Sequence, residues 1–396
     1  MRNRLLAAVV TGLAATPAAA QQGPEVDWFG FAQITAETTG EDGDGDGGGL
    51  AFDADRVRIG NTAQWGNGVH AKLQVDFNAA GVSTEEAEGS DALEAASNTN
   101  QLPNIIKDAV VGYRVNDNLD LQAGMRKMPV GMDFNTSGKR LDIPKRSMEK
   151  ALVLERSGGA FLFGEAPNAG DGELGYALAV ANPATRSGAV EAGAGKCDPD
   201  GASAGNPGGA NQPGSAGEDN SYAGRLSYQL DSGLYAEGYY GGSTTSCTAD
   251  SAEDYQVYGL GLRSQPAPGV TLKAEWIGGS NVQHVDGRDR NVWYVHGGYM
   301  LTPGIEGVIR HYSSHFDGGD VDATLGETWL GANFFLNPQS PHQTRIQLAL
   351  VVPSGDTAAS DYDSGQGPAN YHRTQLNFDK EDEAETTFLA QFQASF

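Results

Sequence analysis

Cysteine is almost missing from this chain. Cys197 and Cys247 are the two in 396 residues, which excludes a disulfide-built scaffold. One bridge or none suits an exported protein; both positions fall in expected outer loops flanking one hairpin, so either state stays open. Long apolar runs are missing as well. Leu5 to Ala15 is the clearest, and it is shorter than the ~20 residues a membrane-spanning helix needs. Basic residues are scarce: 26 Lys and Arg face 51 Asp and Glu, a net charge of -25, and no nucleic-acid partner is expected of such a surface. No Gly-x-Ser-x-Gly and no phosphate-binding glycine loop occurs. The 7 histidines are scattered, with His311 and His315 the one close pair and no carboxylates beside them at metal-site spacing. No catalytic group, metal or cofactor is therefore expected.

What the chain does have is alternation. Val69, Ala71, Leu73, Val75 and Phe77 share one parity, and His70, Lys72, Gln74 and Asp76 share the other. Side chains on a strand point to opposite faces in turn, so this is a strand with one apolar and one polar face. Arg56, Arg58, Gly60 and Thr62 oppose Val57 and Ile59 just before it, across a turn at Trp65–Gly68. Near the end, Ile346, Leu348, Leu350 and Val352 oppose Arg345, Gln347, Ala349 and Val351. The last ten residues place Phe388, Ala390, Phe392, Ala394 and Phe396 on one face. A chain that closes on such a strand resembles the outer-membrane β-barrel class; an edge strand of a secreted sandwich is the plainer alternative. At the other end, Arg2 and Arg4, the short apolar run and Ala18-Ala19-Ala20 predict a signal peptide over 1–20, with the mature chain from about Gln21.

Connections alternate between short and long. Short ones are expected at Trp65–Gly68, Asn116–Asn118, Ala166–Gly172, Asp231–Gly233, Gln265–Gly269, Thr302–Gly304 and Asn337–Gln343. Long polar ones fall at Thr39–Leu50, Ala79–Asn104, Lys127–Gly158, Asn182–Asn220, Ser243–Glu253, Ser280–Arg290, Ser314–Thr324 and Ser354–Ala384. Periplasmic turns and extracellular loops produce this alternation. The pattern predicts one all-β domain over 21–396, a transmembrane antiparallel β-barrel of about 16 strands with an aqueous channel. Acidic clusters at Glu41–Asp46, Glu85–Glu88 and Asp379–Glu385 read as solvated loops; their spacing defines no calcium site.

One long connection differs in charge. Gly124–Ser157 holds Arg126, Lys127, Lys139, Arg140, Lys145, Arg146, Lys150 and Arg156 against Asp133, Asp142, Glu149 and Glu155. The expectation is that residues 127–158 fold into the barrel as a constriction loop. Several motifs here carry a family resemblance: Arg56-Val57-Arg58-Ile59-Gly60, Asp108 to Tyr113, the Asn116–Asn118 turn, Arg126 to Gly131, and Glu155-Arg156-Ser157. Over about residues 50–165 they resemble the phosphate-selective porin O and P family. That resemblance implies a 16-stranded porin, usually trimeric, with its third loop folded inward.

The expected function is passive diffusion of small hydrophilic solutes through an outer-membrane porin of a Gram-negative bacterium, with anion preference, extending to phosphate-like oxyanions. Charges lining a narrow pore set its ion selectivity. The expected constriction bases are Arg126, Lys127, Lys139, Arg140, Lys145 and Arg146. Strand parity turns Arg56, Arg58, Lys72, Arg225, Lys273 and Arg345 toward the lumen wall. The competing view of these bases is that they pair with Asp76, Glu275, Asp133 or Asp142 and hold the loop. Expected partners are outer-membrane lipid and lipopolysaccharide, the solutes themselves and a homotrimer. The alternatives are a plugged barrel serving as an adhesin or anchor, and an outer-membrane hydrolase.

Overall fold

A computed structural model of the protein describes residues 23–38, 49–80, 105–167, 169–184, 187–190, 219–245, 252–319, 321–358, 372–378 and 383–396. The expected signal peptide, both cysteines and the first two acidic clusters lie outside these residues.

Sixteen strands form one closed antiparallel barrel in which each strand pairs with its neighbours in sequence. They are β1 (Glu25–Thr38), β2 (Leu50–Gln64), β3 (Val69–Asp76), β4 (Ile106–Asn116) and β5 (Leu119–Lys127), then β6 (Arg156–Ala166), β7 (Gly172–Ala181) and β8 (Ser221–Leu230). The second half is β9 (Tyr235–Ser243), β10 (Tyr255–Ser264), β11 (Val270–Ser280), β12 (Asp289–Thr302), β13 (Ile305–Gly318), β14 (Val321–Phe335), β15 (Thr344–Gly355) and β16 (Thr387–Ser395). Nothing else suits this sequence in lipid. Backbone N–H and C=O groups find no water there, so a sheet that spans a bilayer must close.

The alternation read from sequence sets the faces. On β3, Leu73 is exposed on the outer wall while Gln74 and Asp76 are buried inside. On β16, Phe388 and Phe392 face out while Leu389, Gln391 and Gln393 are buried. Outward Tyr222 and Tyr240 pack at 6.2 Å between ring centres, Tyr258 and Trp276 at 5.5 Å. Such rings form the interfacial belt of a membrane barrel.

The expected long connection Ser314–Thr324 is an exception. β13 runs on to Gly318 and β14 starts at Val321, so the sheet continues where a loop was expected. The polar stretch is paired strand: the outward His315 and Thr324 are opposite one another and bonded at 3.0 Å, as are His311 and Thr328 at 2.9 Å. Their hydroxyl and imidazole groups satisfy each other, so polarity here does not mean a loop.

Closure rests on a seam between the first and last strands. Phe31 to Glu37 of β1 pair with Ser395 to Leu389 of β16. Beyond that ladder Phe396 donates its N–H to the Gly30 carbonyl at 3.0 Å and accepts from the Gly30 N–H at 3.2 Å. The Phe396 ring lies over Gly30, where a Cβ would stand 2.5 Å from it and 2.9 Å from the Arg58 carbonyl. Gly30→Val must therefore displace the terminal ring from the seam. Overpacking of this kind costs about 1–3 kcal/mol, so the variant barrel should lose its heat-resistant band on a semi-native gel at a lower temperature than the wild type.

Candidate permeation path

Among the described residues, the connection from Met128 to Glu155 is one of the most buried stretches. Met128, Val130, Met148, Leu152, Val153 and Leu154 are each fully or almost fully buried. Its α-helical turn, Met132–Asn135, is entered through Gly131 at φ 83°, a conformation that favours glycine. Its backbone is bonded to strands all along one arc of the wall. Gln33 of β1 donates to the Gly138 carbonyl at 3.1 Å, Gln393 of β16 to Lys139 at 3.1 Å, and Arg345 of β15 to Leu141 at 2.8 Å. Asn333 of β14 donates to Asp142 at 3.0 Å, and Tyr255 of β10 to Leu152 at 2.5 Å. Glu275 of β11 takes the N–H groups of Met132 and Asp133 together with the Tyr239 hydroxyl. A segment tied to β1, β16, β15, β14, β11 and β10 at once lies across the interior of the barrel.

Arg310 of β13 is the strongest of these ties. Its guanidinium is fully buried, 3.4 Å from the Asp133 carboxylate and 3.0 Å from Asp142. It also donates to the Tyr312 hydroxyl at 2.9 Å and stacks 4.5 Å over the Tyr294 ring. Lys273 completes the pair with Asp142 at 2.6 Å. Burial alone would push the Asp142 carboxyl up, but Lys273, with His296 and Arg310, holds it well below the usual range. Against this side lie Tyr255, Val257, Ile277, Val292, Leu325 and Trp329, all inward-facing and all buried with the loop in a single apolar cluster.

The other side of the loop is open. A cavity of about 470 Å³ runs between it and β1–β5, at the end of the short turns, and a second of about 280 Å³ continues toward the long connections. Arg58 and Arg156 line both. The wider cavity adds Lys72, Arg114, Arg126, Lys127 and Lys139; the narrower adds Arg56, Lys107, Lys145, Arg146, Lys150 and Arg373. Thirteen of the chain's 26 Lys and Arg thus line two adjoining cavities, whose carboxylates among the described residues are Asp55, Asp76, Asp108 and Glu155.

These bases are held in two ways. Arg58 pairs with Asp76 at 2.7 Å, Lys72 with Asp108 at 2.6 Å, Arg156 with Asp108 at 3.3 Å, and Lys145 with Glu37 at 2.6 Å and Asp55 at 3.2 Å. Others are hydrogen-bonded to neutral oxygens instead of to a carboxylate. Arg56 donates to Gln33 at 2.6 Å and Arg126 to Gln122. Lys127 donates to the carbonyls of Phe134 and, at 3.1 Å, Thr136; Arg146 donates to those of Asp133, at 3.2 Å, and Thr136.

Of the residues expected at the constriction, Arg126, Lys127 and Lys139 line the wider cavity and Lys145 and Arg146 the narrower; Arg140 is exposed and lines neither. Of the expected wall bases, Arg56, Arg58 and Lys72 line the cavities. Arg225 stands 3.9 Å from Glu237, and Lys273 and Arg345 are spent on the loop. Asp76, Asp133 and Asp142 do meet bases, whereas Glu275 takes backbone N–H groups. Arg156, Arg114, Lys107, Lys150 and Arg373 were not among the expected site residues. Parity alone would have found Arg114, which alternates with Tyr113 and Val115.

Two outcomes follow from the buried charges. Arg310→Met leaves the Asp133 carboxylate, 1% exposed, without its ion partner; breaking a buried pair costs about 3–5 kcal/mol, so the denaturant midpoint should fall sharply and single-channel current should become noisier. Glu149 is buried beside Asp133, one of its oxygens has no partner, and burial pushes its carboxyl up to about 7. The folded chain then holds a proton that the unfolded chain releases at its ordinary, lower value. Stability is present below that value and declines as pH rises through about 7, by at most about 3 kcal/mol. Glu149→Gln should raise the unfolding midpoint at pH 8 and leave it nearly unchanged at pH 4.

Residues 32–186 match the family described as phosphate-selective porin O and P. No curated protein matches the chain in sequence. Among solved structures, the anion-selective porin from Comamonas acidovorans superposes with a TM-score of 0.60 at 13% identity, covering 94% of this chain and all of its own. The outer-membrane channel DcaP of Acinetobacter baumannii gives 0.58 at 13%, covering 97% and 100%. OmpF of Salmonella typhi gives 0.58 at 14%, covering 94% and 98%. These likenesses establish a shared porin fold.

Proposed function

We propose that this chain, which over residues 32–186 belongs to the phosphate-selective porin O and P family, is an anion-preferring diffusion porin with an eccentric path. The coarser function, an outer-membrane channel for small solutes, is common to the family and the fold. The finer one rests on a single observation: half of the chain's bases line two adjoining cavities on one side of the loop.

Net charge would suggest the reverse, because the chain as a whole carries -25. Distance decides between the two. Screening limits solvated loop carboxylates to a range of about 8 Å in physiological salt, while charges inside a narrow low-dielectric wall act on every ion that passes. Arg56, Arg126 and Arg146, hydrogen-bonded to neutral oxygens, place positive charge along the path. Met128–Glu155 acts as the constriction by sealing the β9–β15 side, so that solutes pass between it and β1–β5. Arg58 and Arg156, common to both cavities, form its gate of charge, with guanidinium forks suited to oxyanions.

The test is single-channel recording in a planar bilayer under a KCl gradient. The reversal potential should lie on the anion side. Arg126→Glu with Lys139→Glu replaces two positive charges of the wider cavity by negative ones and should move it to the cation side. A wild-type reversal potential on the cation side would overturn anion preference, and a barrel that never conducts would overturn the channel.

A further inference from the structure

The wider cavity is lined by rings as well as by charge. Phe29 of β1, half-buried, lies across Gly60 of β2, where a Cβ would meet two of its ring carbons at 2.7 and 3.0 Å. His70 of β3 covers Gly112 of β4 in the same manner, with a Cβ 2.3 and 2.4 Å from its ring atoms. A glycine behind each ring lets it lie against the wall instead of projecting, and both rings line the cavity. Cations alternate with them. The Lys72 ammonium stands 5.7 Å from the Phe29 ring centre, Arg58 stands 5.5 Å from that of Phe31, and Arg126 stacks 3.9 Å from Phe163.

Small inorganic anions have no use for ring faces. They are recognised by donors alone, and a wall meant only for them needs none of this aromatic surface. A ring face carries negative charge and a ring edge positive, so a second ring packs offset or edge-on against it. A cation beside the pair then takes an anionic substituent. Most specific pockets combine apolar surface with a few placed polar groups, within about 300–1,000 Å³, and this cavity of about 470 Å³ fits that description.

We propose that the wider cavity is a binding subsite for aromatic carboxylates of the benzoate type. The ligand ring packs against Phe29, and its carboxylate is taken by the bases that line the same cavity, Lys139 among them. This deepens the anion-preferring reading of the same path and rests on it. The arrangement also gives the rings a purpose beyond steadying Lys72 and Arg58 by cation–π contact, a role that alone would make benzoate no better a ligand than acetate.

The experiment titrates the chloride current of wild-type channels with benzoate, acetate, cyclohexanecarboxylate and inorganic phosphate, in the bilayers that also give the reversal potential. Benzoate should half-block at about a tenfold lower concentration than acetate, the size expected of one good aromatic pair, and ahead of cyclohexanecarboxylate, which has the same bulk without the ring face. Phe29→Leu should remove most of that advantage. Equal half-block by benzoate and acetate, with the reversal potential on the anion side, overturns the aromatic subsite and leaves anion preference standing. Cyclohexanecarboxylate binding as well as benzoate overturns it too, in favour of plain apolar contact. A cation-side reversal potential overturns the underlying reading, and the subsite with it. If Phe29→Leu gives no heat-resistant barrel, the wild-type comparison of benzoate with cyclohexanecarboxylate decides.

Discussion

Everything in this protein depends on the pairing of β1 with β16. An open sheet in lipid would leave two rows of N–H and C=O groups with neither water nor partner. The ladder from Phe31 to Glu37, extended by the mutual bonds of Gly30 and Phe396, removes that cost. Once the sheet is closed, each strand has only an outside and an inside. Outward positions meet hydrocarbon and aromatic-belt surroundings; inward positions meet each other, water and whatever the loops bring in. The bases of the chain go inward because charge on the lipid face is expensive.

The interior is then divided unequally. On one side Met128–Glu155 and the inward faces of β10–β15 exclude water and form an apolar core. Placing charge in that core is costly unless each group finds several partners, and Arg310 has them in Asp133, Asp142, Tyr312 and Tyr294. On the other side the bases of β2–β5 and the loop face open cavities. The same loop thus provides a seal with its apolar and acidic groups, and a charged lining with Lys127, Lys139, Lys145 and Arg146. On the proposed reading, the width of the channel and its sign come from one segment.

Strand parity was legible in most strands because the barrel obeys a two-residue period, though Trp28–Glu37 and Leu234–Tyr240 were ambiguous in sequence. Arg56, Arg58, Lys72, Arg225, Lys273 and Arg345 all turn inward as the alternation of β2, β3, β8, β11 and β15 requires. The turns around Trp65, Asn116, Asp231 and Thr302 lie where glycine, asparagine and aspartate place them. Polarity failed as a guide in two places. Over Ser314–Thr324 it suggested a loop, whereas the sheet continues there and His315 and Thr324 pair across two strands. In β10–β14 the inward Val257, Ile277, Val292 and Trp329 break the rule of a polar lumen. Runs such as Val292-Trp293-Tyr294-Val295, apolar on both faces, were the available sign of an inner core, since a strand needs two apolar faces only when it packs on both.

The sequence by itself determined the barrel, its approximate strand number, the inward and outward residues and the basic character of Gly124–Ser157. Those are local matters, set by periodicity, turn chemistry and the cost of charge in lipid. Only the tertiary structure decided which bases line the open cavities and which are bonded to the loop. Lys273 and Lys72 look alike in sequence, each an inward lysine in an alternating strand. One is 131 residues from the Asp142 it holds, the other lines the open cavity. Whether an inward lysine ties down the loop or lines the cavity depends on the group across the lumen, and closure of the barrel is what brings that group there.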